Sequence, residues 1–140
     1  MTAYLLDTHA LIWWFNDDPL LPPSAKAAIA DPDSVIHASA VSAFEIANKH
    51  RIGKLPEVSA LLTDYGDLLR SQDFHELGIA TRHSLLAGSL DTPHRDPFDR
   101  MLVAQAKLEN LTLISNERLF DQLGVARLWD QVTTVPKDCR

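Results

Sequence analysis

Short apolar runs alternate along the chain with longer segments that have helical periodicity. The apolar runs predict strands at 3–6, 34–38, 77–80 and 111–114, with a candidate last edge strand at 132–135. Strands that are hydrophobic throughout and separated by helices are typical of a parallel sheet covered on both sides. We therefore expect an α/β domain with a central, mainly parallel sheet.

Helices are predicted between these strands at 10–15, 24–30, 41–52, 58–69, 81–90, from 97 onwards and at 117–123. The segment 58–69 is the clearest, because its apolar residues recur at three- and four-residue spacing. Within 81–90, we expect Leu85, Leu86 and Leu90 to face the core. Asp96 and Pro97 suit the N-cap and the first position of the following helix.

Acidic residues stand where such a sheet would gather them. Asp7 directly follows the first strand, and Glu117 follows the strand at 111–114. Because parallel α/β sheets bind ligands outside the carboxyl ends of their strands, both side chains are expected at one crevice. Glu45 and Asp99 fall on the core-facing sides of their helices. The sequence therefore predicts an acidic cluster.

A cluster of four carboxylates needs a compensating charge. Two unit charges about 5 Å apart repel by roughly 3 kcal/mol at an effective dielectric constant near 20, so protonation or a bridging cation is required. All-oxygen ligands favour Mg²⁺, for which Mn²⁺ can substitute. Such an ion lowers the pKa of bound water and neutralises a leaving oxygen, which suits phosphodiester hydrolysis. The predicted catalytic residues are Asp7, Glu45, Asp99 and Glu117, and the predicted metal ligands are Asp7, Asp99, Glu45 and, less favoured, Asp96.

Each of these acids also has a purely structural interpretation. Asp7 and Asp96 suit the N-cap position of a helix, and for Asp96 we favour the cap over metal ligation. Glu45 is placed to form a surface ion pair with the lysine four residues on. Asp99 and Glu117 would complement the positive end of a helix dipole. Local pattern alone therefore leaves both interpretations open.

Four polar neighbours of the acids are candidates for supporting roles. Thr8 and Ser115 are expected to orient the carboxylates by hydrogen bonding. Arg95 and Arg100 flank Asp99 and its neighbours, so they are candidates for contact with substrate phosphates.

Composition bounds the picture and supplies one counterargument. A length of 140 residues suits one domain, 1–140, and no apolar run approaches the length of a membrane span. The N-terminus lacks the pattern of a signal peptide, so we expect a soluble, cytoplasmic protein. Cys139 is the only cysteine, which excludes a disulfide within the chain. The net charge of −6 argues against nucleic-acid binding through bulk positive charge, unless divalent ions reverse the local sign.

Four segments together resemble the PIN domain of VapC-type toxins. They are LLDTHA at 5–10, SAFEIA at 42–47, HRDPFDR at 94–100 and LISNE at 113–117, in the family's order and spacing. The resemblance implies a PIN-like three-layer α/β/α sandwich in which Asp7, Glu45 and Asp99 are the first three family acids. It also implies an endoribonuclease toxin that acts on RNA, forms a homodimer and is restrained by a cognate VapB-like antitoxin. The family commonly has Asp where this chain has Glu117, which favours a water-mediated role there.

Two other functions fit the same residues. Glu117 and the acidic net charge are also compatible with a catalytically weak PIN-fold module that binds RNA or regulates. A phosphatase would use Asp7 as a nucleophile after the first strand, although that chemistry usually needs a second Asp two residues on, where this chain has His9.

Overall fold

The computed structural model describes residues 2–55 and 58–130, in which five parallel strands form one sheet. The strands are β1 (Ala3–Leu6), β2 (Val35–Ser39), β3 (His75–Leu77), β4 (Thr112–Ile114) and β5 (Arg127–Leu128). They lie in the order β3-β2-β1-β4-β5, and each neighbouring pair is parallel. The chain reverses its direction of travel across the sheet between β1 and β4, and such switch points are where α/β sheets bind ligands.

Helices occupy most of the chain between the strands. They are α1 (Thr8–Phe15), α2 (Pro23–Ala30), α3 (Ala40–Arg51), α4 (Ser59–Ser71), α5 (Thr81–Ser89), α6 (Pro97–Glu109) and a 3₁₀ helix at Arg118–Gln122. None of those in residues 2–55 and 58–130 combines the length and hydrophobicity that crossing a bilayer requires.

The two faces of the sheet bury separate hydrophobic clusters. Leu5 and Leu113 pair across β1 and β4, and they pack with Val103 of α6 and Phe120 of the 3₁₀ helix. One residue further on, Leu6 and Ile114 face the opposite side, because successive strand residues alternate between faces. Apolar residues of α1, α2 and α4 cover that second side. The predicted three-layer α/β/α sandwich is confirmed.

The sequence predictions differ from the structure mainly at the sheet edges. The predicted strand 77–80 is instead β3 at His75–Leu77, a short and largely exposed edge strand that has no apolar run to mark it. The predicted 117–123 helix is a 3₁₀ helix of five residues. The candidate strand 132–135 lies outside the described residues, and within them β5 is the edge strand beside β4.

The inward face of α5 was predicted wrongly at one position. Leu85 is 70% exposed, whereas His83 and Ala87 are the buried residues of this helix. His83 is tolerated inside because its ring accepts a hydrogen bond from the Ala80 backbone N–H and meets the Glu109 carboxylate. Hydrophobicity alone therefore misplaced Leu85.

Candidate active site

An acidic cavity lies at the carboxyl ends of β1 and β4, and we call it the acidic hollow. It has a volume of about 330 Å³. Its lining residues come from α1, α3, α6 and the segments that follow β1 and β4; they are Asp7, Thr8, His9, Trp13, Glu45, Lys49, Asp96, Asp99, Leu102, Asn116 and Glu117. All four predicted catalytic acids therefore line one cavity.

Asp7 forms the buried floor of the hollow and is only 8% exposed. It caps α1, since its Oδ1 accepts the Ala10 backbone N–H at 2.8 Å, and its own backbone N–H donates to the Ile114 carbonyl at 3.1 Å. Burial raises the pKa of Asp7 to about 6. Hydrogen bonds from Ser115 and Ala10 lower that pKa, whereas the nearby charge of Asp99 raises it further. Asp7 thus serves both as the N-cap of α1 and as part of the acidic hollow.

Asp99 faces the hollow from the first turn of α6. Its Oδ2 lies 2.8 Å from Nε2 of His94, in the loop before the helix. Partial burial raises the pKa of Asp99, the His94 hydrogen bond opposes that rise, and the charges of Asp96 and Glu45 add to it. Asp99 therefore repels, and is repelled by, acids from two other parts of the site.

Glu45 is buried and has two partners. The Thr8 hydroxyl donates to Oε1 at 2.6 Å, and Lys49 Nζ lies 2.6 Å from Oε2. The Thr8 hydroxyl also contacts the Ser42 hydroxyl at 3.0 Å. The ion pair with Lys49 and a place in the acidic cluster, which the sequence offered as alternatives, therefore coexist.

Asp96 and Glu117 use carboxylate oxygens as helix caps while lining the hollow. Oδ1 of Asp96 accepts the backbone N–H groups of Phe98 and Asp99, and Oε1 of Glu117 accepts that of Leu119 at 3.1 Å. One oxygen of each carboxylate is therefore committed to the backbone.

The remaining predicted residues divide into those at the acids and those away from them. Thr8 bonds Glu45, and Ser115 bonds both Asp7 and the backbone N–H of Glu117. Arg95 is exposed and Arg100 is half-buried, and neither lines the hollow. The Arg100 guanidinium instead donates to backbone carbonyls of α5 and the following loop. It therefore supports the structure around Asp99.

Sequence reasoning missed several residues of the site. His94 bonds Asp99 from a loop, where no helical spacing signals the contact. His9 and Trp13 line the hollow from α1 with their rings 5.5 Å apart, although Trp13 also packs against Trp129 in the core. Asn116 follows β4 and was signalled only by its place between Ser115 and Glu117.

The donor chemistry of the hollow fits a divalent cation. Its acids offer only oxygen ligands, the kind that Mg²⁺ and Mn²⁺ prefer, and a cation would relieve the repulsion among Asp7, Asp99 and Glu45. Within residues 2–55 and 58–130, however, no three acidic, His or Cys side chains are grouped closely enough to hold an ion. The acids share a cavity, and their side chains would have to converge further to coordinate one ion.

A five-stranded parallel α/β domain with acids at its switch point is the class that this geometry defines. The family model of the PIN domain matches residues 4–126, and the chain belongs to that family. Comparison with curated proteins finds no match.

Three solved structures illustrate the similarity of fold. VapBC2 from Rickettsia felis bound to a promoter DNA fragment is 19% identical, with a TM-score of 0.68 over 92% of this chain and 100% of that chain. FitAB bound to an IR36 DNA fragment is 16% identical, with a TM-score of 0.58 over 89% and 93%. VapBC-1 from nontypeable Haemophilus influenzae is 15% identical, with a TM-score of 0.58 over 91% and 97%. At these identities the likeness concerns the fold.

Proposed function

We propose that this PIN domain protein is a metal-dependent endoribonuclease, the toxin of a VapBC-type pair, which hydrolyses RNA phosphodiester bonds with Mg²⁺ or, in its place, Mn²⁺. The observation that carries the proposal is the meeting of acids from separate parts of the chain in one cavity. Burial and the charge of Asp99 raise the pKa of Asp7, and burial and the charges of Asp96 and Glu45 raise the pKa of Asp99, in a cavity at the switch point of the sheet. Acids held together at such a cost to stability favour a cation-dependent function.

The roles of the acids follow from their positions and partners. Asp7 and Asp99 would hold the ion, and Glu45, fixed by Thr8 and Lys49, would complete the site or position the attacking water. When bound, the ion supplies an acidified water and stabilises charge on the leaving oxygen. Glu117 would act from outside the metal shell, because one of its oxygens caps the 3₁₀ helix.

Asn substitution of Asp7 tests the catalytic assignment. Purified wild type should cut RNA with Mg²⁺, and Asp7→Asn should not, while circular dichroism shows an unchanged fold. Asp33→Asn is the matched control, because it is the same substitution at an exposed turn outside the hollow. An Asp7→Asn protein that cuts as fast as wild type, with contaminating nuclease excluded, would contradict the proposal.

A small antitoxin is the proposed partner. The similar structures include VapBC complexes, and a negative hollow is suited to an Arg side chain from an inserted segment, since Arg binds carboxylates bidentately. We also propose a homodimer that acts on RNA in the cytoplasm. Light scattering of the purified chain tests the dimer, and co-purification with the neighbouring gene's product tests the partner.

A weakly catalytic RNA-binding or regulatory module is the second candidate. It is favoured by the finding that, within residues 2–55 and 58–130, no three potential ligands converge on one point. RNA retention without Mg²⁺ and without new RNA ends would select this alternative. Membership of the PIN family favours either nucleic-acid function over the phosphatase.

A further inference from the structure

The side chain of Arg100 forms hydrogen bonds with the end of α5 and with the loop that follows it. The guanidinium group has five N–H donors in a rigid fork, and all five meet backbone carbonyls. Nε donates to Ala87 at 2.9 Å, Nη1 to Thr92 at 3.2 Å and His94 at 2.8 Å, and Nη2 to Gly88 at 3.3 Å and Leu90 at 2.7 Å. One side chain therefore fixes the path of the loop from 90 to 94.

Two of these carbonyls, those of Ala87 and Gly88, lie in the last turn of α5. The last turn of a helix has carbonyls with no intrahelical donor, and α5 ends at Ser89. A lysine has three donors on a flexible stem, so it could not reproduce the fork. Position 100 thus requires the donor geometry of arginine, and a positive charge alone would not be sufficient.

The clamped loop carries the histidine that touches Asp99. The carbonyl of His94 accepts from Arg100, while its Nε2 lies 2.8 Å from Oδ2 of Asp99. An ionised carboxylate can only accept, so Nε2 carries the shared proton. Asp99 and Arg100 are adjacent in α6. Arg100 holds the loop by its carbonyls, and His94 of that loop contacts Asp99.

We propose that Arg100 and His94 together position the Asp99 carboxylate toward the acidic hollow. Without the His94 contact, Asp99 would be free to turn away from Asp96 and Glu45, which repel it. Partners that orient a ligating carboxylate act through it and contact neither ion nor substrate. This inference rests on the proposed function, because it assumes that Asp99 holds the ion.

Two His94 variants separate positioning from bulk. His94→Ala removes the donor, whereas His94→Gln keeps an N–H group near the position of Nε2. We expect His94→Ala to weaken Mn²⁺ binding, measured by calorimetry, and kcat for RNA cleavage by about 10- to 100-fold. His94→Gln should restore most of both. His75→Gln in β3 is the control for a histidine outside the hollow. Equal Mn²⁺ affinity in wild type and His94→Ala would overturn the proposal.

Arg100→Lys tests the clamp, with exposed Arg70→Lys as its control. We expect faster amide hydrogen exchange across 90–95 in Arg100→Lys, together with weaker Mn²⁺ binding. A loosened loop with unchanged Mn²⁺ affinity would overturn the positioning role of Arg100. If wild type itself neither binds Mn²⁺ nor cuts RNA, the proposed function fails and positioning fails with it. If wild type does both and the variants match it, only positioning fails.

Discussion

Two buried polar clusters in this protein have opposite electrostatic character. In the first, which we call the Gln105 network, Ser39 donates to Gln105 Oε1 at 2.6 Å, and Gln105 Nε2 meets the Gly78 carbonyl at 3.1 Å and His83 Nδ1 at 3.3 Å. His83 Nε2 then meets Glu109 at 2.9 Å. Nδ1 of His83 accepts the Ala80 backbone N–H, so the ring proton lies on Nε2 and faces Glu109, and each of these polar side chains has a partner.

The acidic hollow has the reverse arrangement. Five carboxylates line one cavity, and burial together with the charges of neighbouring acids raises the pKa values of Asp7 and Asp99. Matched polar groups stabilise a fold, while an unmatched cluster costs stability and marks a place for a ligand. The comparison teaches that completeness of pairing, rather than burial, separates structural polar residues from candidate functional ones.

The largest expected effect is on catalysis in the hollow. Asp99→Asn should lower the rate of Mg²⁺-dependent RNA cleavage by about a thousandfold, because loss of several kcal/mol of charge stabilisation corresponds to that factor. Initial rates on a labelled RNA would measure it. If Asp99→Asn kept a rate near that of wild type, the acidic hollow could no longer be contrasted with the Gln105 network as the functional cluster.

The next effect is on stability in the Gln105 network. Gln105→Leu should lower the free energy of unfolding by roughly 4 kcal/mol, since it leaves the Ser39 hydroxyl and the Gly78 carbonyl without their partner. Urea denaturation measures this change. If the free energy of unfolding fell by less than an average surface substitution lowers it, water would have replaced the hydrogen bonds of the Gln105 side chain.

Asp7→Asn should raise the free energy of unfolding, whereas Gln105→Leu should lower it. The folded-state pKa of Asp7, about 6, exceeds its ordinary value of 3.8, so the wild type gains stability from Asp7 below pH 4 and loses it as pH rises to 6. The loss amounts to about 3 kcal/mol at neutral pH. In metal-free buffer, Asp7→Asn should therefore be the more stable protein at pH 7 and lose that advantage at pH 4. Equal stability at both pH values would contradict the electrostatic argument.

Metal addition should restore part of this loss. At a Mg²⁺ concentration 100 times Kd, binding stabilises the folded chain by about 2.7 kcal/mol. The melting temperature of wild type should rise with Mg²⁺, whereas that of Asp7→Asn should rise much less. Parallel shifts in both proteins would indicate binding elsewhere.

The smallest expected effect is at Glu117. Its cap on the 3₁₀ helix survives in Glu117→Gln, because the amide oxygen can still accept from Leu119. We expect a decrease in cleavage rate of about tenfold or less. A loss as large as that of Asp99→Asn would instead place Glu117 among the direct ligands.

The layers of the fold and the meeting of the four acids at one cavity could be predicted from the sequence, because both depend on strong local signals. Apolar runs identified β1 and β4, and Asp7 and Glu117 were placed by their position after those strands. The bounds of β3 escaped prediction because a strand of three residues with a single apolar one, Leu77, is too short to show a period. The exposure of Leu85 escaped prediction because the buried face of a helix depends on the elements that pack against it. The His94 contact joins a loop to a helix, and only the folded chain brings the two together.

The hydrogen bond from the Asp7 backbone to Ile114 carries the strand ladder of β1 and β4 into the floor of the site. Widening the hollow at its floor would therefore mean breaking hydrogen bonds at the centre of the sheet. An ion in the hollow would therefore bind against a floor that the sheet holds in place, and the further convergence of the acids would fall to Glu45 of α3 and Asp99 of α6.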